Sequence, residues 1–435
     1  MRSASLYAAR ASWPAKRKGM TMAVPTYWKH VITVLGGALG AQALPLLAAP
    51  FITRMCTPAE LGAFSVWLGI VAVAAIGATL RLEAAMILDH GAEQQETCFS
   101  VVAWSATLAA LLLTGGAVLA RLLGVPAVQG LSWSALLTLG VGTWLTAYMQ
   151  TTLAYATSRN AFGRAAKAKI WGAGSIALLQ VGMLFVGVGP LALLTGQLIG
   201  MCIGLLAATL LLRPPHARPR LLPDTHQLRY LQRHEKFWRF SLPSNLLNVL
   251  VGQLPLFMIG AKHGALAAGL YALTQRVLSA PIALLASSVL EVFKRQSVQD
   301  FQQHGNCRDA YRYTFKALVL LGIGPSLVLL FFSPQLFALV FGESWRVAGE
   351  LAQILAPLYF LNFIASPLSY VFFVAGKQKL DLLWQVGLFT MTVTVFMLPG
   401  SLHDSLAWYA IGYSMLYVVY LRMSWTCSLN RLAPA

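Results

Sequence analysis

Twelve long apolar runs divide this 435-residue chain into segments that alternate between many basic residues and few. Of the 32 Lys and Arg residues, 27 fall in the odd-numbered segments, which begin with the N-terminus, and 4 fall in the even-numbered ones. The remaining one, Arg276, lies inside an apolar run. Because Lys and Arg near the ends of spans are retained in the cytoplasm during insertion, this imbalance predicts a multi-pass membrane protein with both termini in the cytoplasm.

Each run has the length that crosses a bilayer. About 20 apolar residues cross roughly 30 Å of hydrocarbon, and a backbone in lipid must satisfy its polar groups within a helix or a closed barrel. A barrel would show short alternating stretches instead. We therefore predict an all-α polytopic membrane protein with about twelve transmembrane helices. The predicted spans are 31–52, 61–87, 99–120, 131–155, 168–188, 190–212, 238–260, 265–290, 313–333, 350–374, 380–398 and 405–425.

The composition excludes most other classes of protein. Hydrophobic residues make up 57% of the chain and charged residues 11%, whereas a soluble domain carries roughly 25% charged residues. The net charge of +18 reflects the basic segments, so we expect anionic membrane lipids as partners and no nucleic acid. The five Cys lack metal-ligand spacing, and no catalytic motif is present. We expect no cofactor, no metal and no catalytic residue.

The spans and loops indicate four segments. A basic tail covers 1–29, spans one to six cover 30–212, a Pro- and Arg-rich cytoplasmic linker covers 213–237, and spans seven to twelve cover 238–435. The tail lacks the apolar core of a signal peptide, and a mitochondrial presequence fits only its composition, so a disordered tail is the favoured interpretation. The prolines make the linker a stiff, solvated connection.

The two halves contain similar short segments. The sequence QALPL at Gln42–Leu46 resembles GQLPL at Gly252–Leu256, and ELGAF at Glu60–Phe64 matches AAGLY at Ala267–Tyr271. Both halves begin with a span that runs outward, so the repeat would be parallel, about an axis normal to the membrane. Because apolar segments also match by chance, the repeat is a hypothesis.

Prolines interrupt the first and seventh spans. They are Pro45 and Pro50 in the first, and Pro243 and Pro255 in the seventh. Because proline removes a helical hydrogen bond, and paired interrupted helices in two halves indicate a transport site, we predict hinges here. The alternative is that membrane helices simply tolerate proline.

Arg276 is the most informative single residue, because it lies about eleven residues into span eight. An unpaired Arg at the centre of a bilayer costs roughly 2.5–3.5 kcal/mol on insertion scales. Such a residue faces a water-filled cavity or a partner on a neighbouring helix. No acid lies at mid-depth in any predicted span, so we favour a functional role over a structural ion pair. A buried cation also favours an anionic substrate.

Other polar residues border or enter the spans. Arg81 and Glu83 lie near the cytoplasmic end of span two. Arg54 follows span one and lies at the outer mouth of the predicted helix bundle. Residues two apart on a helix do not face each other, so we expect Arg81 to extend towards headgroups. Uncharged polar residues within spans bridge helices or contact a ligand; they are Gln42, Asn245, Asn248, Gln253 and Gln275.

Four stretches of the chain resemble Wzx-type O-antigen and exopolysaccharide flippases. They are FITRMCTPAELGAFSVW at 51–67, LRLEAAMILDHGAEQQETCFSVV at 80–102, FWRFSLPSNLLNVL at 237–250 and AGLYALTQRVLSAPIALLASSVLEVFKRQS at 268–297. These flippases belong to the multidrug/oligosaccharidyl-lipid/polysaccharide exporter (MOP) superfamily. The resemblance extends over nearly the whole chain, although its motifs are patterns and not a catalytic signature.

The resemblance implies two six-helix lobes around a central cavity that opens alternately to each side. It implies an undecaprenyl-pyrophosphate-linked oligosaccharide as substrate and a bacterial cytoplasmic (inner) membrane as location. Polysaccharide polymerase and chain-length proteins are candidate partners. Members line the cavity with Arg, and Arg276 stands where such a residue would fall; Arg81 and Glu83 match an exit pattern without an assigned role.

Two alternative functions remain open. A drug or cation antiporter of the same superfamily would need a buried carboxylate, and the predicted spans have none at mid-depth. A membrane-embedded polysaccharide polymerase or glycosyltransferase would place catalytic groups outside, where this chain has little sequence. We therefore expect a transporter and not an enzyme.

Overall fold

The computed structural model describes residues 24–86, 88, 91–125, 130–215 and 224–429. In these residues each predicted span is mostly helical and no β-strand is present, so the all-α fold class is confirmed. Eight helical segments of the described residues are long and apolar enough to cross a membrane, and one of them, Phe237–Ala286, contains two predicted spans. The predicted tail up to residue 23 and residues 216–223 of the predicted linker lie outside the described residues.

The N-terminal half forms the first lobe. Its helices are α1 (Val24–Met55), α2 (Pro58–Thr79), α3 (Leu82–Ala85), α4 (Ala92–Leu122), α5 (Trp133–Ser158), α6 (Phe162–Phe185) and α7 (Ala192–Leu212). The start of α2 has a clear local cause. The Thr57 hydroxyl accepts from the Glu60 amide at 3.3 Å, and the Glu60 carboxylate accepts from the Thr57 amide at 2.8 Å. This reciprocal cap, with Pro58 in the first turn, ends α1 and begins α2 at a defined point.

The C-terminal half forms the second lobe. The short helix α8 (Thr225–Arg233) falls in the predicted linker and packs against α4 of the first lobe, where Tyr230 joins the buried cluster of Phe99 and Val102. The helices of the second lobe are α9 (Leu242–Pro281), α10 (Ser287–His304), α11 (Arg308–Phe341), α12 (Arg346–Leu368), α13 (Val371–Val374), α14 (Gln378–Met397) and α15 (Leu402–Leu429). Helix α9 covers most of predicted spans seven and eight and is kinked at Gly264, where φ is 84° and ψ is 178°. That conformation is readily accessible only to glycine.

A stripe of glycines joins α6 to α7. Gly196, Gly200 and Gly204 recur every four residues on α7 and face α6. A Cβ on Gly200 would lie 2.6 Å from the Ile176 Cα, and a Cβ on Gly204 would lie 2.8 Å from the Gly172 Cα. Small residues at this spacing let two backbones approach closely in a membrane, so α6 and α7 form one rigid wall of the first lobe.

We expect Gly200→Ala to destabilise the first lobe, because the new methyl group must push α6 and α7 apart. Overpacking of this kind costs about 1–3 kcal/mol, and a lower melting temperature in detergent should report it. Gly182→Ala on α6 is the control, because a Cβ there meets nothing within 4 Å and alanine favours a helix. Equal melting temperatures for the two variants would contradict the close packing.

The two lobes meet through glycines at the end of the molecule that the predicted topology assigns to the outside. A Cβ on Gly62 of α2 would lie 1.8 Å from the Ala265 carbonyl oxygen, and a Cβ on Gly269 of α9 would lie 1.8 Å from the Pro58 carbonyl oxygen. The two glycines occupy matching positions in the proposed repeat, and their contact is reciprocal. This reciprocity supports two halves related by a pseudo-twofold axis.

Two hydrogen bonds extend this contact to α1. The Trp345 indole donates to the Thr53 carbonyl at 2.8 Å, and the Arg54 guanidinium donates to the Leu339 carbonyl at 2.7 Å. Trp345 is fully buried. The six residues Thr53, Arg54, Gly62, Gly269, Leu339 and Trp345 are called the outer seal below, because they close the two lobes against each other at this end.

Candidate functional site

A cavity of about 460 Å³ lies within the first lobe and reaches the second lobe at one residue. Helices α1, α2, α5, α6 and α7 enclose it, and α9 contributes only Arg276. Its polar or charged lining residues are Thr146, Gln150, Lys169, Gln180, Gln197 and Arg276. We call this space the N-lobe cavity.

The two charged residues of the N-lobe cavity are both cations. Lys169 is an exposed residue of α6, whereas Arg276 is half-buried. Arg276 lies twelve residues after the bend at Gly264, so its Cα is roughly 18 Å along the helix, near the middle of a bilayer. No Asp or Glu is among the described residues that line the cavity. The electrostatic potential of the cavity therefore favours anions.

The Arg276 guanidinium makes no ion pair and no hydrogen bond within the described part of the chain. Desolvating a cation without a partner is unfavourable, and the adjoining cavity relieves this by admitting water or a ligand. The arrangement therefore leaves all of the guanidinium donors available to a bound anion.

Three amide side chains complete the polar lining. Gln180 and Gln197 are buried and Gln150 is half-buried. The Gln180 amide nitrogen donates to the Leu193 carbonyl at 3.2 Å and to the Gln197 side-chain oxygen at 3.3 Å. These bonds hold the two amides in place and leave the Gln197 amide nitrogen as a donor to the cavity. Neutral donors and acceptors of this kind suit hydroxyl groups.

Most of the predicted site residues lie away from the N-lobe cavity. Among them, Arg276 and Pro45 line it. Gln42 and Asn248 are exposed, and Gln253 lies in the lobe interface, where its side-chain oxygen is 3.0 Å from the position of a Cβ on Gly69. Asn245 and Gln275 are half-buried. Their predicted role in binding remains a prediction.

The expectation that Arg81 and Glu83 do not face each other is wrong. The Arg81 guanidinium forms an ion pair with the Glu83 carboxylate at 2.9 Å. The cause is the backbone: Leu80 and Arg81 both adopt left-handed conformations, with φ of 52° and 59°, so α2 ends at Thr79 and α3 begins at Leu82. Helical spacing does not apply across this break, and Arg81 pairs with the acid rather than extending alone to the headgroups.

Arg54, which the sequence places at the outer mouth, lies in the outer seal, and its predicted role in binding stays a prediction. Its guanidinium caps the Leu339 carbonyl at the outer seal, where it bridges the lobes and does not line the N-lobe cavity. Of the predicted hinge prolines, Pro45 and Pro50 lie inside α1 and Pro255 lies inside α9. Pro243 closely follows the π-helical turn Phe237–Ser241 and lies within the helical segment Phe237–Ala286. The role of these prolines as hinges stays a prediction.

Sequence reasoning missed Lys169, Gln150, Gln180 and Gln197. Lys169 is one of the 27 basic residues in the odd-numbered, cytoplasmic segments, although α6 begins at Phe162, about 10 Å before it. The three glutamines lie inside predicted spans. Because an uncharged amide in a membrane helix needs a partner, their positions could have marked them as candidate site residues. Only the packing of α5, α6 and α7 brings them to one cavity.

Comparisons with known proteins agree with this architecture. The family model described as polysaccharide biosynthesis protein matches residues 51–350. The teichuronic acid biosynthesis protein TuaB of Bacillus subtilis is 26% identical over 210 residues, which cover 45% of this chain and 43% of that protein. The match therefore spans less than half the length of this relative.

Solved structures share the fold at low sequence identity. The lipid II flippase MurJ in an inward closed conformation superimposes with a TM-score of 0.71 at 14% identity, over 90% of this chain and 87% of that one. A MOP superfamily transporter from Pyrococcus furiosus gives a TM-score of 0.55 at 16% identity, over 91% and 94%. At these identities the likeness shows a shared fold. The chain therefore belongs to the polysaccharide biosynthesis protein family and has the two-lobed, all-α fold of the MOP superfamily.

Proposed function

We propose that this protein is a flippase that moves an undecaprenyl-pyrophosphate-linked oligosaccharide from the cytoplasmic to the outer leaflet for surface polysaccharide synthesis. The observation that carries the proposal is the N-lobe cavity, in which Lys169 and Arg276 are the charged lining residues and no carboxylate is among the described ones. Its family membership supports the same role. Together they favour a substrate with an anionic group and many hydroxyls.

The chemistry of the substrate explains why such a cavity is needed. A pyrophosphate and its sugars cannot cross hydrocarbon unaided, because each polar group without a partner costs several kcal/mol. Arg276 can bind phosphate oxygens in a bidentate manner, and Lys169 adds a point charge. Gln150 and Gln197 can bind sugar hydroxyls. The volume suits the pyrophosphate and the first sugar, while the lipid tail stays in the bilayer.

The same arrangement supports alternating access. The outer seal holds the lobes together at one end, whereas Lys169 is exposed near the end of α6 that the predicted topology assigns to the cytoplasm. In this state substrate would enter from the cytoplasmic side and reach Arg276 at mid-depth. Opening of the outer seal and closure of the opposite end would then release the head group outside.

A reconstituted assay tests the proposal. Purified protein in liposomes should move a fluorescent polyprenyl-pyrophosphate disaccharide across the bilayer, measured by the fraction that an impermeant quencher reaches. A matched lipid with an uncharged linker is the control and should move slowly. Ethidium uptake by the same vesicles tests the drug-antiporter alternative. Movement of ethidium without movement of the pyrophosphate lipid would overturn the flippase and favour the antiporter.

A further inference from the structure

A second basic site lies on the surface of the second lobe, at the end that the predicted topology assigns to the cytoplasm. It is separate from the N-lobe cavity. Arg312 and Lys316 of α11 and Arg422 of α15 line a groove of about 450 Å³ together with Tyr311, Phe315, Val418, Leu421 and Trp425. We call it the basic groove. It shares no lining residue with the N-lobe cavity.

Buried contacts between α11 and α15 shape one wall of the basic groove. The Tyr311 hydroxyl donates to the Leu421 carbonyl at 3.2 Å and lies 2.7 Å from the Ser424 hydroxyl oxygen. The Tyr311 and Trp425 rings pack with their centroids 5.3 Å apart. These contacts fix the spacing of the two helices, so the groove is formed before anything binds.

The three cations of the basic groove are exposed and form no ion pair within the described residues. Arg312 and Lys316 lie one helical turn apart at the start of α11, and Arg422 lies near the end of α15. In the predicted topology these helix ends face the cytoplasm. The groove therefore presents concentrated positive charge at the level of the anionic headgroups of that leaflet.

An apolar groove continues from the basic groove towards the middle of the membrane. It has a volume of about 670 Å³, lies between α12 and α15, and shares Val418 with the basic groove. From Val418 back to Ala407, its other end on α15, the helix rises roughly 16 Å. Ala407 lies two residues inside the outer end of predicted span twelve (405–425), so the two grooves together run from the headgroup level past the middle of a hydrocarbon core about 30 Å thick.

We propose that the basic groove and its apolar continuation bind one anionic phospholipid of the cytoplasmic leaflet. The phosphate would contact Arg312, Lys316 and Arg422, and an acyl chain would follow α15 past Val418. Charge complementarity argues for an anionic headgroup, and the lack of any lining residue shared with the N-lobe cavity argues for a phospholipid over the transported lipid. Trp425, one helical turn beyond Arg422 on α15, suits the interfacial level.

Lipid retention by the purified full chain tests this site. Native mass spectrometry should show tight binding of one phosphatidylglycerol and weaker binding of phosphatidylcholine. The combined variant Arg312→Gln, Lys316→Gln and Arg422→Gln should lose roughly 100-fold in affinity, on the basis of the usual attraction of each cation to anionic lipid. Phosphatidylglycerol should also raise the melting temperature of the wild type and not of the variant.

A matched control removes three exposed cations elsewhere on the same predicted side: Arg229→Gln, Arg233→Gln and Lys236→Gln on and beside α8. This control should keep wild-type binding. Equal losses in the two variants, or no preference for phosphatidylglycerol over phosphatidylcholine, would overturn the proposal. Dihexanoyl phosphatidylglycerol should bind more weakly if the apolar groove takes an acyl chain. Displacement of the lipid by undecaprenyl pyrophosphate at lower concentration would assign the groove to the substrate instead.

Discussion

Replacing Arg276 by glutamine should abolish most transport and leave the folded protein at least as stable as the wild type. Its guanidinium has no ion-pair or hydrogen-bond partner within the described residues, and it is half-buried beside the N-lobe cavity. A hydrogen bond from a charged group to a ligand contributes about 1.5–3 kcal/mol, which corresponds to about 10- to 100-fold in binding. Removing an uncompensated buried charge also relieves a desolvation cost.

Measuring transport and stability separately distinguishes an arginine that binds substrate from one that stabilises the fold. Transport is measured as restored surface polysaccharide in a bacterium that lacks its own flippase and makes the matching repeat unit, with protein levels matched. Stability is the melting temperature of the purified protein. A structural Arg276 would lower the melting temperature when replaced, so a large loss there would contradict the binding role, as would full transport by Arg276→Gln.

Other substitutions of basic residues in or near the N-lobe cavity should reduce transport by different amounts. Arg276→Lys keeps the charge but loses the planar fork that binds two phosphate oxygens, so it should transport at an intermediate rate. Lys169→Gln should lose less than Arg276→Gln, because an exposed charge is weakened by solvent. Lys167→Gln is the matched control, since Lys167 is exposed on the same helix and does not line the cavity.

The all-α architecture could be predicted because a bilayer permits few kinds of backbone structure. Long apolar runs in lipid must be helices, whereas the direction of each span, which rests on the placement of basic residues, stays a prediction. Arg276 could be singled out for the same reason, since a charge at mid-depth is unfavourable unless it faces a cavity or a partner. These features depend on one helix at a time, so they are visible in the sequence.

Features that depend on two helices, or on an irregular backbone, were not predictable. The ion pair between Arg81 and Glu83 forms because two consecutive residues adopt left-handed conformations, and neither Leu80 nor Arg81 is a residue type that signals this. Lys169 belongs to the site because α6 begins earlier than its apolar run. The amides of Gln180 and Gln197 meet only because glycines bring α6 and α7 into close contact.

The outer seal is the second place where a small change should have a large effect. Gly62→Ala should hold the seal open and stop transport, because its new Cβ would lie 1.8 Å from the Ala265 carbonyl oxygen. Backbone atoms cannot retreat by the required distance without separating α2 from α9. Alternating access needs both the closed and the open state, so a protein that cannot close this end should be inactive although it folds.

Cys56 provides a reporter of this opening. It lies between α1 and α2, and burial, with a contribution from Glu60, raises the pKa of its thiol to about 12. The thiol is therefore protonated and unreactive at neutral pH, whereas solvent exposure would lower its pKa and increase its reactivity. With the other four cysteines replaced by alanine, an impermeant maleimide added outside should label Cys56 in Gly62→Ala and label the wild type only slowly.

Gly77→Ala is the control on the same helix, because a Cβ at Gly77 meets nothing within 4 Å, and it should match the wild type in both labelling and transport. The converse experiment holds the seal closed, with Arg54→Cys and Leu339→Cys joined by a reducible cross-linker in a background without other cysteines. Transport should then stop and return on reduction, because the lobes must separate here to release the head group. Unchanged transport by the cross-linked protein would show that the lobes do not rock about this end, and the release path would have to lie elsewhere.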